Sequence, residues 1–197
     1  MRIKLICALC LLLLLTGCMA EGFVFDGSIT WDSGMADAAA YLGEGAQTEQ
    51  ADMGDYGTAG FVAKDGAACL GLSCGRLIFS FYDDQLTMIA AYFTPEDLNG
   101  DLQTVQAKLT ETYGTPEEPG GSMTLEDLFG EAMPNAQKHL CDWRPDPNTE
   151  ISLYDSSAVL YGDSSPSPYA RCLSVVNLEA QAEFDEALLA YFDDADD

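Results

Sequence analysis

A glycine-rich turn holds the residues whose spacing best matches a catalytic nucleophile. Gly71-Leu72-Ser73-Cys74-Gly75 fits the G-x-S-x-G pattern, in which the serine stands on a sharp turn between a strand and a helix. His139, the chain's single histidine, would be the base that accepts the serine proton. The following residues, Leu77 to Tyr82, have the pattern of a strand. A structural turn closed by a Cys69–Cys74 bond is therefore the alternative to a hydrolase site.

Acidic residues gather at a second place, around a predicted hairpin near Trp143. Two neighbouring carboxylates could share general acid–base work, whereas acids at hairpin turns usually serve as solvated turn formers. Both interpretations concern the same four residues: Asp142, Asp146, Glu150 and Asp155.

A third group looks like the opening of a calcium loop. Asp97-Leu98-Asn99-Gly100-Asp101 places oxygen ligands at alternate positions. The complete loop needs glycine at its sixth position and an acid at its twelfth, where this chain has Leu102 and Lys108. We therefore interpret these acids as the start of a helix and expect neither a metal site nor any other dissociable cofactor.

Four cysteines beyond residue 20 suggest disulfides. Their even number fits an oxidising compartment, and three pairings are open. We favour Cys69–Cys74, which closes a short loop, with Cys141–Cys172, which joins two predicted strands. A thiolate metal site is the alternative, but the single histidine and the lack of paired C-x-x-C motifs argue against it.

The elements that would position these residues begin with a strand at Phe25 to Trp31 and a helix from Met35 to Leu42, where apolar residues recur at helical spacing before a glycine. Glu44 to Gly60, rich in glycine, alanine and acids, is interpreted as a long loop. An antiparallel meander follows. Its predicted strands are Phe61–Ala63, Ala67–Leu72, Leu77–Tyr82 and Leu86–Phe93.

The second half starts with a helix that Thr94 caps and Gly114 ends, with Pro95 at its first position. A connection from Glu117 to Asn135 holds a short helix at Thr124–Phe129. Asn177 caps a last helix with an apolar face. The strands between them are predicted at Gln137–Trp143, Glu150–Tyr154, Ala158–Tyr161 and Cys172–Val176.

These elements predict an α+β fold, in which helices pack on one side of an antiparallel sheet of six to eight strands. Both halves run helix, glycine, acidic loop and strands, so they could be a duplication, although a glycine is expected after any helix. The predicted ranges are 1–17 for a cleaved signal peptide, 18–24 for a tether, 25–93 and 94–193 for the halves, and 194–197 for an acidic tail.

The first residues have the order of a secretory signal. Arg2 and Lys4 precede an apolar run from Leu5 to Leu15, and small residues follow. This run is about half as long as the roughly 20 residues that a helix needs to cross a bilayer. A cleaved signal is therefore favoured over a permanent membrane span.

Leu15-Thr16-Gly17-Cys18 resembles the lipobox of bacterial lipoproteins. The resemblance implies cleavage before Cys18, a diacylglyceryl group on its thiol and an acylated new N-terminus; an ordinary signal-peptide cysteine is the alternative. Two or three acyl chains make membrane anchoring stable. The domain would lie on the extracytoplasmic face of the membrane, and because Met19 is not aspartate, in an outer membrane if the organism has one.

The composition excludes several partners. Removal of residues 1–17 takes away two basic residues and no acid, so the net charge goes from −25 to −27. Nucleic acids and acidic lipid headgroups are bound by clustered Lys and Arg, so neither is an expected partner. Hydrophobic residues make up 48% of the chain, which excludes disorder of the whole.

Further short motifs resemble uncharacterised lipoproteins of anaerobic Gram-positive bacteria. More distantly, they resemble the small outer-membrane assembly lipoproteins and the β-lactamase-inhibitory-protein fold, where helix pairs lie on one face of an antiparallel sheet. Such proteins act by protein contact, which implies a binding or scaffold role and no catalytic residue. The motifs are Phe25-x-Gly27-x-Ile29-x-Trp31, Gly34-Met35, Leu42-Gly43, Tyr113 to Pro116, and the strands around Trp143, Ile151, Leu153 and Tyr161.

Four aromatic residues are candidates for the contact with an envelope protein, because rigid aromatics dominate interface energetics. They are Trp31, Trp143, Tyr113 and Tyr154. Packing between helices and sheet is their structural alternative. The expected role is a membrane-anchored binding module, and the other functions considered are a surface hydrolase and a lipoprotein that binds cations or a small polar solute.

Overall fold

The computed structural model describes residues 23–94, 102–118, 138–155, 160–161, 165–166 and 171–195. Several sequence predictions lie wholly or partly outside these ranges: the signal segment with Cys18, the tether, the capped start of the helix after Thr94 with Asp97 to Asp101, the short helix at Thr124–Phe129, the start of the strand at Ala158–Tyr161, and the end of the acidic tail. Within them, none of the helices combines the length and apolar composition that a membrane span requires.

The first half contains one helix, a 3₁₀ turn and eight strands. The helix predicted from Met35 to Leu42 is confirmed and is named α1. The 3₁₀ turn is Gly54–Tyr56. The strands are β1 (Val24–Phe25), β2 (Ile29–Thr30), β3 (Gln47–Asp52), β4 (Thr58–Asp65), β5 (Ala68–Cys69), β6 (Leu72–Ser73), β7 (Arg76–Tyr82) and β8 (Gln85–Phe93).

The described residues of the second half contain two helices and five strands. Helix α2 is described from Leu102 to Tyr113, and α3 spans Leu178–Ala195. Asn177 caps α3 as predicted, since its side-chain oxygen accepts a hydrogen bond from the Ala180 amide at 3.3 Å. The strands are β9 (Lys138–Asp146), β10 (Thr149–Asp155), β11 (Leu160–Tyr161), β12 (Ser165–Pro166) and β13 (Arg171–Asn177).

Seven strands form one antiparallel sheet in the order β3-β4-β7-β8-β13-β10-β9. The α+β class with an antiparallel sheet is therefore confirmed, and strands make up more of the fold than the sequence suggested. The predicted hairpin of β7 and β8 is present. Its turn residues Asp83 and Asp84 have positive φ angles of 47° and 64°, as a two-residue hairpin turn requires.

One face of the sheet, here called the core face, carries an apolar row across six strands. Strand pairing aligns its members, and each is at most 1% exposed. Helix α1, helix α2 and the β1–β2 hairpin cover this row and complete a single hydrophobic core. Burial of these side chains supplies most of the favourable free energy of folding. The row consists of Val62, Phe79, Ile89, Val175, Ile151 and Trp143.

Helix α3 does not lie on the core face. Phe184 of α3 stacks at 5.5 Å against Tyr82, which alternates along β7 with the buried Phe81 and therefore points to the opposite face. This opposite face is called the polar face below. The prediction that all helices pack on one side of the sheet is thus wrong for α3.

The predicted loop from Glu44 to Gly60 is also wrong. It contains β3, the 3₁₀ turn and the start of β4. Every residue of β3 is exposed, and the strand is held mainly by backbone pairing with β4. One side-chain hydrogen bond is added, from Gln50 Nε2 to Met35 Sδ of α1 at 3.1 Å. An edge strand that buries neither face shows no alternation of apolar and polar residues, so the sequence pattern does not reveal it. Polar residues on such an edge also keep it from pairing with other chains.

Two predicted single strands are hairpins instead. Phe25 to Trp31 folds back at Asp26 and Gly27, both with positive φ, and Ala67 to Leu72 folds back at Leu70 and Gly71, also with positive φ. Apolar residues on both arms of a tight hairpin resemble the alternation of one continuous strand, and this explains both errors.

Candidate functional site

The nucleophile motif does not form the elbow of a hydrolase. Ser73 lies in β6, and the next element is strand β7, where the elbow requires a helix. His139 lies in β9, at the far edge of the sheet, where its Nε2 is 2.6 Å from Asp142 Oδ1. The structure therefore does not unite the predicted serine and base.

A hydrogen-bonded network does occur on the polar face, around Asp142. Its Oδ1 accepts from the Ser152 hydroxyl at 2.7 Å and lies 2.6 Å from His139 Nε2. Asp142 is only 5% exposed, and Tyr154 stacks on the His139 ring at 4.7 Å. In a catalytic triad the serine bonds to the histidine, whereas here both share one carboxylate oxygen. The network is arranged to satisfy a buried carboxylate and not to activate a nucleophile.

The other acids of this region serve the hairpin between β9 and β10. Asp146 accepts hydrogen bonds from the Asn148 amide and the Thr149 hydroxyl, both at 2.8 Å. Glu150 pairs with Arg144 at 2.5 Å across the two strands. Asp155 ends β10. These positions fit the turn-former interpretation, because the carboxylates are engaged separately and form no acid–base pair.

Three of the four candidate aromatics belong to one cluster between the helices and the sheet. Trp143 is 1% exposed and donates through Nε1 to the Gly114 carbonyl at 2.9 Å. Phe23 stacks at 4.7 Å on Trp31 and at 6.2 Å on Tyr113, and Trp31 Nε1 donates to Thr149 Oγ1 at 2.8 Å. Trp143 is buried in the core, as the packing alternative predicted. Tyr154, the fourth, is half-buried on the polar face.

Two half-buried tyrosines stand out in the same region. The Tyr41 hydroxyl donates to Asp26 Oδ2 at 2.7 Å, while the buried Tyr113 hydroxyl has no hydrogen-bond partner among the described residues. Burial, with nearby Asp26, raises the pKa of Tyr41 well above its ordinary value. Burial raises the pKa of Tyr113 as well. Both groups are neutral at physiological pH and cannot act as bases there.

All four predicted disulfide cysteines are buried. Cys141 faces Leu153 across β9 and β10, and Leu153 faces Leu173, so Cys141 lies on the core face. Cys172 precedes Leu173 and lies on the polar face. The two cysteines are two strands apart, about 9.5 Å, whereas a disulfide needs Cα atoms within about 7 Å. The predicted Cys141–Cys172 bond is therefore incompatible with this sheet.

Cys69 and Cys74 lie close together on the β5–β6 hairpin. The Cys74 amide donates to the Ala67 carbonyl at 2.9 Å, which makes Cys69 and Cys74 diagonal neighbours on one side of the hairpin. Burial raises the pKa of the Cys69 thiol well above its usual value, so this thiol is a poor nucleophile. A bond between the two cysteines stays a prediction.

A shallow cleft of about 510 Å³ lies between the tips of the two small hairpins and helix α2. It holds groups of both charges, but Lys108 is already paired with Glu111 at 3.8 Å. Nothing in its lining points to a particular solute. The lining residues are Val24, Asp26, Gly27, Leu70, Lys108, Glu111 and Thr112.

The largest exposed apolar side chains of the described residues lie on α3, which the sequence analysis did not consider as a binding surface. Leu189 is 68% exposed and Phe192 is 57% exposed. On the apolar face expected from the sequence, Phe184 packs on Tyr82, Leu188 is half-buried, and Tyr191 packs on Tyr56 while staying 37% exposed. The signal that could have found the exposed pair is the apolar run from Ala187 to Phe192, which is too long for one helix face.

Comparison of the chain with protein-family models, with curated proteins and with solved structures finds no match.

Proposed function

We propose that this chain is a lipoprotein anchored through Cys18 to the extracytoplasmic face of the cell membrane, and that its α+β domain binds an envelope protein or serves as a scaffold. The observation that carries the proposal is the order of the first residues: a basic start, the apolar run from Leu5 to Leu15, and Leu-Thr-Gly-Cys. The acidic domain would rely on the lipid for membrane contact, since its net charge of −27 after removal of residues 1–17 repels anionic headgroups.

Binding is favoured over catalysis by the arrangement of the polar groups. The acids and the histidine near Trp143 are engaged in a network that satisfies Asp142, in a turn and in a surface ion pair. Ser73 is followed by a strand and lies in the separate β5–β6 hairpin, whereas His139 lies in β9, an edge strand of the seven-stranded sheet. By contrast, α3 offers an apolar surface to solvent. A protein that binds a partner needs an exposed apolar surface of this kind, whereas a hydrolase needs reactive groups that converge on one point.

The sheet also supports two similar halves, with the boundary in the region of residue 94. Each half runs from a helix on the core face through a meander, and the last strands of the two meanders, β8 and β13, pair antiparallel at the centre of the sheet. Matching strands that pair antiparallel are related by an approximate two-fold axis. This arrangement is what a duplicated helix-and-meander unit would produce.

The anchor is tested with Cys18→Ala in the full chain, and Cys10→Ala serves as the matched control. We expect Cys18→Ala to abolish labelling by radioactive palmitate and to leave the signal segment uncleaved. Cys10→Ala, which lies in the same segment, should keep both processing and membrane association. Recovery of intact, unacylated wild-type protein among cytosolic proteins would overturn the proposal.

A further inference from the structure

Helix α3 carries an exposed apolar ridge, which we define as Leu189 and Phe192. These residues are three positions apart and therefore share one helix face. Leu189 is 68% exposed and Phe192 is 57% exposed, which is more than any other large hydrophobic side chain that the structure describes. Two such side chains in water, one turn apart, are a candidate contact surface.

The ridge is held in place by the other side of the helix. Ala180 is 2% exposed, and Phe184 packs on Tyr82 at 5.5 Å. Further along, Tyr191 packs edge-on against Tyr56 at 6.2 Å, and the Tyr56 hydroxyl donates to Asp194. Because α3 is fixed to the domain near both ends, its outer face is presented in one orientation, which lowers the entropic cost of binding.

Carboxylates border the ridge on both sides. Asp185 lies one turn before Leu189, Asp193 lies one turn after it, and both are exposed. The helix has no basic residue at all. Its acids are Glu179, Glu183, Asp185, Glu186, Asp193 and Asp194, and all of them are exposed.

We infer that the ridge docks a basic amphipathic segment of another envelope protein, with apolar side chains on Leu189 and Phe192 and Lys or Arg facing the bordering acids. This inference rests on the proposed extracytoplasmic function and names the partner class. Complementary charge steers such a segment to the helix and fixes its register, while the apolar contact holds it.

The charges disfavour the other occupants. A second copy would bring an equally acidic helix against this one, and the complete chain carries a net charge of −25. Anionic lipid headgroups would be repelled for the same reason, since amphipathic helices that lie on membranes carry Lys and Arg beside their apolar face. Like charges placed in contact oppose association.

The test uses the full chain in its own membrane. The photo-cross-linking residue p-benzoylphenylalanine replaces Phe192 in one version and Val24 in a control, because Val24 is also exposed, at 44%, but lies in the β1–β2 hairpin. After irradiation, mass spectrometry maps the attached peptide. We expect position 192 to capture a segment with Lys or Arg beside apolar residues at helical spacing, and position 24 not to capture it.

A second measurement separates specific docking from general attraction to an acidic protein. With the cross-linker at position 192, the triple variant Asp185→Asn, Glu186→Gln and Asp193→Asn should reduce the yield by about fivefold or more. Neutralising three exposed acids elsewhere, by Glu44→Gln, Glu49→Gln and Asp52→Asn, should leave the yield within about twofold.

Several results would overturn the inference: cross-links to a second copy, to lipid or to an acidic segment, no product above the position 24 control, or equal losses in both triple variants. Its failure is distinguishable from failure of the proposed function. Palmitate labelling and cleavage report on Cys18 alone. A lipidated protein without the expected cross-link would therefore refute the inferred partner class and leave the proposed anchoring intact.

Discussion

The two faces of the sheet are built from different interactions. On the core face, Phe79, Ile89 and Trp143 are at most 1% exposed and pack beneath α1, α2 and the β1–β2 hairpin. On the polar face, the carboxylate of Asp142 is satisfied by two side chains, and α3 buries little beyond Ala180. Apolar burial scales with area, whereas each hydrogen bond adds only about 1 kcal/mol net. The core face thus stabilises the fold, while α3, which packs on the polar face, carries exposed apolar side chains on its outer side.

The sharpest test of this comparison pairs an aromatic from each face. Trp143→Ala should lower the free energy of unfolding by about 3–5 kcal/mol, because it leaves a cavity in the core and an unsatisfied Gly114 carbonyl. Tyr154 is half-buried on the polar face, so Tyr154→Ala should lower the free energy of unfolding by only about 1–2 kcal/mol. Urea denaturation followed by circular dichroism measures both. Equal losses would refute the division of roles.

The network around Asp142 gives the next largest effect. Asp142→Ala should lower the free energy of unfolding by about 1–3 kcal/mol, because it deprives the Ser152 hydroxyl and the His139 ring of their shared acceptor. Glu150→Gln is the control, since it disrupts an ion pair in which the Arg144 side chain is 56% exposed, and it should cost less than about 1 kcal/mol. If Glu150→Gln lowers the free energy of unfolding as much as Asp142→Ala does, burial is not the reason that the network around Asp142 stabilises the fold.

The smallest effect concerns Tyr113, whose pKa is raised by burial. Above the ordinary phenol pKa, the unfolded chain releases this proton while the folded chain keeps it, so the free energy of unfolding falls as the pH rises. Tyr113→Phe should make that alkaline fall shallower and change stability at pH 7 by no more than about 1 kcal/mol, since the hydroxyl has no partner among the described residues.

Tyr41→Phe is the companion variant. Its pKa is also raised, so it too should make the alkaline fall shallower, but it loses the hydrogen bond to Asp26 and should cost about 0.5–1.5 kcal/mol at pH 7. Denaturation curves between pH 7 and about pH 11 compare the two. A Tyr113→Phe chain as sensitive to alkali as the wild type would contradict the assignment.

Elements with a buried face could be predicted from the sequence. Met35 to Leu42 and the β7–β8 hairpin were found because burial imposes a helical or alternating pattern on them. Strand β3 could not be found, since it is held by backbone hydrogen bonds that any residue can make. The hairpin at Leu70-Gly71 lacks the Asn-Gly or Asp-Gly pair of the commonest hairpins. Asp26-Gly27 is such a pair, but the strands on either side of it have only two residues each, so they show no alternation of their own.

The candidate residues were harder to interpret than the fold. Trp143 and Cys172 were singled out by type, but type does not say on which face of a sheet a residue lies, and this depends on the register of β9, β10 and β13. The exposure of Leu189 and Phe192 depends on which side of α3 meets Tyr82 and Tyr56, a tertiary contact between residues more than 100 positions apart. Neither the strand register nor this tertiary contact can be predicted from the local sequence.

The central position of β13 has a consequence for how this protein is made. Residues 171–177 follow the other described strands in sequence, yet they fill the gap between β8 and β10. A polypeptide that lacks them holds the β3–β8 meander and the β9–β10 hairpin as separate pieces, each with an open edge of backbone groups in place of a neighbour. The seven-stranded sheet is therefore complete only once residues 171–177 are present, and a chain truncated before residue 171 should be prone to aggregate.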